Sequence, residues 1–234
     1  MTTTEPHPAV RTEGVWKIFS QEAEEVRAVR DVSLAIQPGE FTALAGPSGS
    51  GKTTLLNLIG GLTRPSRGRV VVDGRDVGAM SNQQVARFRL GHIGFVFQAY
   101  NLLPVLTALE NAEFPMLLQG VPADERKRRV RELFSRTGMD GLEDRRPGKL
   151  SGGQQQRVAV VRAVASKPAL VLADEPTANL DTNSGKALLD MMYELNQELR
   201  VTFVFATHDE HVMERSRRLI RMVDGAVDSD ETRS

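Results

Sequence analysis

The chain has 234 residues, 40% of them hydrophobic before its 20 glycines are counted; that is enough apolar material for one large domain with its own core, and it argues against disorder. Lys+Arg 30 against Asp+Glu 30 gives a formal net charge of +0, so the strong basic field of a dedicated nucleic-acid binder is missing and no nucleic-acid partner is expected. With Cys 0, disulfides, thiolate metal sites and cysteine nucleophiles are excluded together.

Residues 1–11 lack the charged stretch and apolar run of a signal peptide and read as a flexible tail. Val29–Ile36 alternates in part and stops at Pro38-Gly39, and Phe41–Ala45 is a short apolar run feeding a glycine-rich loop; both read as strands. Lys52–Ile59 reads as a helix ended by Gly60-Gly61. Arg69–Val72, Ile93–Phe97, Leu170–Ala173, Thr202–Ala206 and Arg218–Met222 are further strands, several too apolar to own a solvent face, which is the pattern of a parallel sheet covered by helices. In the middle of the chain Thr107–Leu118, Ala123–Thr137 and Gly152–Ala165 read as helices with little strand signal between them, a helical insertion in an α/β core. Thr107-x-x-Glu110 and Ser151-x-x-Gln154 have the capping-box form. Leu90–Leu109 carries no charged residue and has the length of a membrane span, but Gly91, Gly94, Gln98, Asn101 and Pro104 interrupt it and argue against one. Residues 226–234 read as a second tail.

Gly46-Pro47-Ser48-Gly49-Ser50-Gly51-Lys52-Thr53 fits G-x-x-x-x-G-K-[ST], between a strand ending at Ala45 and a helix starting near Lys52. In such a loop the glycines let backbone N–H groups converge on phosphate oxygens, and the helix N-terminus adds partial positive charge. Lys52 then reaches the β- and γ-phosphates and the Thr53 hydroxyl ligates Mg²⁺. Leu170–Ala173 delivers Asp174 and Glu175 to the C-terminal edge of the sheet, where ligands of open α/β sheets bind. Asp174 is assigned to the metal and Glu175 to the attacking water. Ser151-Gly152-Gly153-Gln154 is a second anion site, an N-cap serine and two glycines at the head of a helix. One γ-phosphate is not readily served by two separate helix N-termini of one chain. His208-Asp209-Glu210-His211 departs from H-E-x-x-H and offers too few ligands for a metal centre.

In order and spacing, the P-loop, Leu150-Ser151-Gly152-Gly153-Gln154 and the Asp174-Glu175 strand resemble the motifs of ATP-binding-cassette (ABC) ATPase domains, over about residues 12–225. The resemblance implies an ABC ATPase fold: a RecA-like α/β P-loop core, an N-terminal antiparallel β subdomain and an inserted helical subdomain at about 99–165. It also implies ATP and Mg²⁺ as cofactors and a dimer in which the signature of one subunit caps the nucleotide on the P-loop of the other. Carried over residue by residue, Gly46 to Thr54 bind ATP in cis, and Ser151, Gly152, Gly153, Gln154 and Asp181 of the Asn179-Leu180-Asp181 loop bind it in trans. Gln98 resembles the glutamine that contacts Mg²⁺ and water, His208 the switch histidine at the γ-phosphate, and Phe19 stands where an aromatic side chain stacks on adenine. Thr53, Gln98 and Asp174 are the metal set, and Glu175, His208 and Gln98 the catalytic one.

Gln98 to Pro104, Leu106 to Asn111 and Leu172 to Asp181 are similar to the macrolide-exporter and lipoprotein-releasing branch (MacB-like, LolD-like), which includes the cell-division ATPase FtsE; Ala178 and Phe19 depart from its usual Gly and Tyr. The branch implies integral membrane permease subunits of the MacB/FtsX type, with the ATPase peripheral on the cytoplasmic side of the plasma membrane, driving export, lipoprotein release or mechanotransmission. The alternative it leaves is an FtsE-like ATPase that regulates a membrane partner without moving cargo. Tyr100–Leu109 is then the apolar surface that docks a coupling helix, with Tyr100 and Leu103 on the docking face. A soluble ABC ATPase acting on DNA fits less well, because only about a hundred residues separate Lys52 from Ser151, with no room for a long coiled coil.

Overall fold

The computed structural model describes residues 7–21 and 24–233. The chain opens with β1 (Val10–Gln21) and β2 (Glu24–Ile36), an antiparallel pair, and β4 (Arg67–Val72) and β5 (Arg75–Asp76) extend it into a four-stranded sheet of order β2-β1-β4-β5. A second sheet of six strands has the order β10-β9-β3-β8-β7-β6. Its strands are β3 (Phe41–Ala45), β6 (Ile93–Val96), β7 (Leu170–Asp174), β8 (Thr202–Thr207), β9 (Arg218–Val223) and β10 (Ala226–Thr232). All neighbours in it are parallel except β10, which runs antiparallel along β9.

β3 and β8 are buried along their whole length, as strands covered on both faces must be. Phe41, Phe203, Phe205 and Val171 point into one apolar cluster with α3 (Ala108–Leu118), α4 (Ala123–Arg136), α5 (Gly152–Ala165) and α6 (Thr182–Leu199). The alternate residues Leu44, Leu172 and Val204 point the other way, to α1 (Lys52–Ile59) and the antiparallel sheet. The period of two along each strand thus assigns one face to the helices and one to the β subdomain. α3 and α5 start at Thr107 and Ser151, and each has a complete capping box with its N3 residue, Glu110 or Gln154.

Expectation and structure part at several points. Val10 and Arg11 belong to β1, and Val10 is fully buried, so the region expected as a tail already carries sheet; residues 1–6 lie outside the described ones. The expected C-terminal tail is likewise a strand, β10, paired from Ala226 to Thr232. Leu90–His92, just before the expected strand Ile93–Phe97, closes a helix, α2 (Asn82–His92), capped by Ser81, and the strand itself is Ile93–Val96. A final short helix, α7 (Glu210–Arg215), follows β8.

Candidate nucleotide-binding site

The site begins where β3 ends. Gly46 has φ 152, and a Cβ there would collide with the carbonyl oxygen of Met222, while Gly51, at φ 97, faces the carbonyl of Ala28 equally closely. Only glycine lets the loop pass between β9 and β2 on its way into α1. The Lys52 ammonium is buried and folds back across the loop, donating to the carbonyls of Gly46 (2.7 Å) and Pro47 (2.9 Å). The Ser50 hydroxyl is buried in the same loop without a hydrogen-bond partner. An orphaned hydroxyl, an ammonium satisfied only by loop carbonyls and the head of α1 together form a cradle that suits phosphate oxygens.

β7 brings two carboxylates beside it. The Thr53 hydroxyl donates to Asp174 Oδ1 at 2.9 Å. Burial raises the Asp174 pKa, opposed by the Thr53 hydrogen bond, while Glu175 raises it further and Lys52 lowers it. A hydroxyl and one carboxylate in contact fit a small divalent ion that takes its remaining ligands from phosphate and water, as Mg²⁺ does. Glu175 has φ 47, unusual for a residue with a side chain. Its N–H donates to the carbonyl of Ala206 (2.9 Å), which holds the turn open. Glu175 Oε1 lies 2.7 Å from Nδ1 of His208, and Oε2 accepts from the Thr207 hydroxyl at 3.2 Å.

A cleft of about 620 Å³ gathers Lys52, Thr53, Thr54, Gln98, Glu175 and His208, residues 156 positions apart at the extremes of the set (208 − 52). The other expected residues stand elsewhere. Ser151 and Gln154 do not line it; their side chains satisfy each other's backbone at the head of α5. Gly152 sits against the Tyr100 hydroxyl, and Gly153 against Ser184. Asp181 caps α6, accepting from the N–H groups of Asn183 (3.1 Å) and Ser184 (3.0 Å). Phe19 is 41% exposed, under the Lys17 ammonium, and lies off the cleft; Val26, its partner across β1 and β2, lines the cleft instead. Sequence reasoning also missed Arg27, Arg30 and Asp224 in the cleft wall, which belong to no motif and arrive through the β1–β2 and β9–β10 hairpins.

A parallel sheet that hands a glycine-rich loop to a helix N-terminus, next to paired carboxylates, defines a P-loop ATPase. The chain belongs to the ABC transporter family, as an ATP-binding and ATP-hydrolysing subunit; the family model described as ABC transporter matches residues 29–178. Among relatives, it is 45% identical to the lipoprotein-releasing system ATP-binding protein LolD of Anaeromyxobacter dehalogenans, covering 95% of this chain and 94% of that one. It is 44% identical to the macrolide export ATP-binding/permease protein MacB of Chromobacterium violaceum over 92% of this chain, but spans only 33% of that protein. Among solved structures, a dimeric post-hydrolysis state of the ATP-binding cassette MJ0796, bound to ADP and Pi, superposes with a TM-score of 0.87 at 39% identity, covering 95% of this chain and 98% of that one.

Proposed function

We propose that the chain hydrolyses ATP as a head-to-tail homodimer and drives a conformational change in a separate integral membrane permease of the MacB/FtsX type. One observation carries the dimer: the cleft holds Lys52, Thr53, Gln98, Glu175 and His208, while Ser151, Gly152, Gly153 and Gln154 head another helix of the same chain outside it. A second copy supplies that missing wall. In this reading Gly46 to Thr54 grip the phosphates, with Lys52 on the β- and γ-phosphates. Thr53, Asp174 and Gln98 hold Mg²⁺, which supplies charge neutralisation at the phosphates when bound. Glu175 orients the attacking water and draws its proton, and His208 leaves Glu175 to meet the γ-phosphate. Ser151, Gly152, Gly153, Gln154 and Asp181 close over the partner's nucleotide.

The docking surface is narrower than the whole of Tyr100–Leu109. Ala108 and Leu109 are buried and Tyr100 packs at Gly152, whereas Leu103 is 41% and Val105 71% exposed. Asn111 shapes that tip, accepting from the N–H of Leu103 and donating to the carbonyls of Leu103, Leu106 and Thr107. A groove of about 390 Å³, with Leu90, Phe95, Phe97 and Pro115 in its walls, receives the coupling helix. No helix among the described residues is long and apolar enough to cross a membrane. In this reading the translocation path belongs to the permease, and the ATPase docks on its cytoplasmic face. The test of the dimer is Glu175→Gln with ATP and Mg²⁺ on size exclusion. A trapped dimer is expected; a monomer that hydrolyses at the parent rate would overturn both the dimer and the role of Glu175.

A further inference from the structure

Gln156 lies one and a half turns into α5 from Ser151, is fully buried, and belongs to no part of the site described above. Its single Nε2 donates twice, to the carbonyl of Phe97 at 3.2 Å and to the carbonyl of Pro176 at 2.8 Å. Phe97 is the residue before Gln98, and Pro176 the residue after Glu175. Both partners are acceptors, so the amide cannot be reversed, and its Oε1 is left buried with no donor. A core position normally avoids such an orphan; here it accompanies two donated bonds that an apolar residue of the same size could not make. Two other contacts point the same way. Arg162, further along α5, donates to the carbonyls of Tyr100 (3.0 Å) and Asn101 (2.6 Å), and Asn179 Nδ2 donates to the carbonyl of Gln98 (3.0 Å). The loop that carries Gln98 is thus held to α5 at both ends and to the loop after Glu175 in the middle.

We infer that Gln156 is a positioning residue that ties the signature end of α5 to the two loops bearing Gln98 and Glu175, so that engagement of one nucleotide by Ser151 is transmitted within the protomer to the water site of the other. The inference rests on the site assignments proposed above. α5 is one continuous helix of 14 residues capped at Ser151, so a tilt imposed at its head would carry Gln156 with it. Because one nitrogen holds both carbonyls, the loops of Gln98 and Glu175 move together rather than separately. The two composite ATP sites of the dimer are then coupled through each chain, and not only across the interface.

The test compares the parent chain with Gln156→Met and Gln156→Glu, measuring steady-state ATP hydrolysis against ATP concentration, binding of a fluorescent ATP analogue to dilute monomer, and thermal melting. The parent is expected to give a sigmoidal curve. Gln156→Met, near-isosteric but without a donor, is expected to bring the Hill coefficient to about 1 and lower kcat by about tenfold or more, with monomer affinity within about twofold. Gln156→Glu restores one donor only when protonated, which burial favours; its kcat relative to the parent is expected to rise as pH falls from about 8 to about 6. A hyperbolic parent curve, or a Gln156→Met variant with the parent's Hill coefficient and kcat, overturns the relay. So does a parallel fall of melting temperature, analogue affinity and kcat with no relative recovery of Gln156→Glu on acidification, which is the signature of a core strut. A parent without hydrolysis that still binds the analogue overturns the site assignment, and the relay with it.

Discussion

Glu175 and His208 face each other across the loops that follow β7 and β8, with Oε1 and Nδ1 2.7 Å apart, and the glutamate is 17% exposed against 70% for the histidine. The other carboxylate oxygen accepts from the Thr207 hydroxyl, and the Glu175 backbone is held by its own N–H on the carbonyl of Ala206. The histidine is the more exposed member, and moving it outward would free one carboxylate oxygen without disturbing the other. His208→Ala is therefore expected to leave ATP binding within about twofold and to lower kcat by about 10²–10⁴-fold. Equilibrium binding of ATP set beside single-turnover hydrolysis separates the two; a variant at the parent's kcat would remove His208 from the chemistry.

Asp174 offers a trade between stability and function. Burial is the main reason its pKa is raised, so the folded chain favours the protonated form more than the unfolded chain does. The ionised form then carries a penalty that is full above the folded pKa and disappears as pH falls below the unfolded value. Asp174→Asn keeps an acceptor for the Thr53 hydroxyl and removes the charge. Without nucleotide its melting temperature is expected to exceed the parent's at neutral pH by a few degrees. That gap is expected to close as pH falls through the carboxylate range, while Mg²⁺-dependent hydrolysis is lost. A lower melting temperature at neutral pH would show that the carboxylate is a net support of the fold.

Asp181 has the opposite sign. Its pKa is lowered, first by the Ser184 side chain and then by the Ser184 N–H, with burial opposing. Its contribution is present above the unfolded pKa and is lost as pH falls through the depressed folded value. Asn is as good an N-cap as Asp, so Asp181→Asn is expected to melt near the parent at neutral pH, and Asp181→Ala lower. If Asp181 also meets the partner's nucleotide, Asp181→Asn is expected to weaken ATP-induced dimerisation without that loss of stability. Thermal melts and light scattering with ATP distinguish the cap from the contact.

What the sequence made legible were residues whose own chemistry sets a local pattern. The P-loop, the paired carboxylates after an apolar strand and the capping boxes at Thr107 and Ser151 are each specified within a few positions. The elements it hid are those held by pairing rather than by composition. β10 reads Ala-Val-Asp-Ser-Asp-Glu-Thr and is mostly exposed, an edge strand held by backbone hydrogen bonds to β9 and by the Arg218–Asp230 ion pair. β1 shifts register between Thr12 and Val15 and again before Lys17 and Ile18, so its apolar residues do not keep one period of two along the whole strand. The same hairpin explains why Val26 and Arg30 were missed in the cleft. Which face of a bulged strand meets the P-loop depends on contacts such as that of Ala28 with Gly51, and no short-range pattern reports them.

The proposed docking tip can be separated from the signature because Tyr100 and Val105 have different neighbours. Tyr100 places its hydroxyl against Gly152 and has its carbonyl held by Arg162, so Tyr100→Asp is expected to disturb α5 and lower hydrolysis in the isolated chain. Val105 is 71% exposed and its loop is held by Asn111, not by its own side chain. A charge there costs the free protein little, but in an interface it would be buried without a partner. Val105→Asp is expected to leave the isolated chain's ATPase rate within about twofold, to keep its melting temperature, and to lower co-purification with the membrane subunit by about tenfold or more. Leu103→Asp is expected to act in the same direction, with a larger effect on stability because Leu103 is less exposed. Assembly that survives both substitutions, measured by affinity purification from membranes expressing the tagged ATPase with its permease, would move the docking surface away from this tip and leave the groove beside Phe95 and Pro115 as the whole of it.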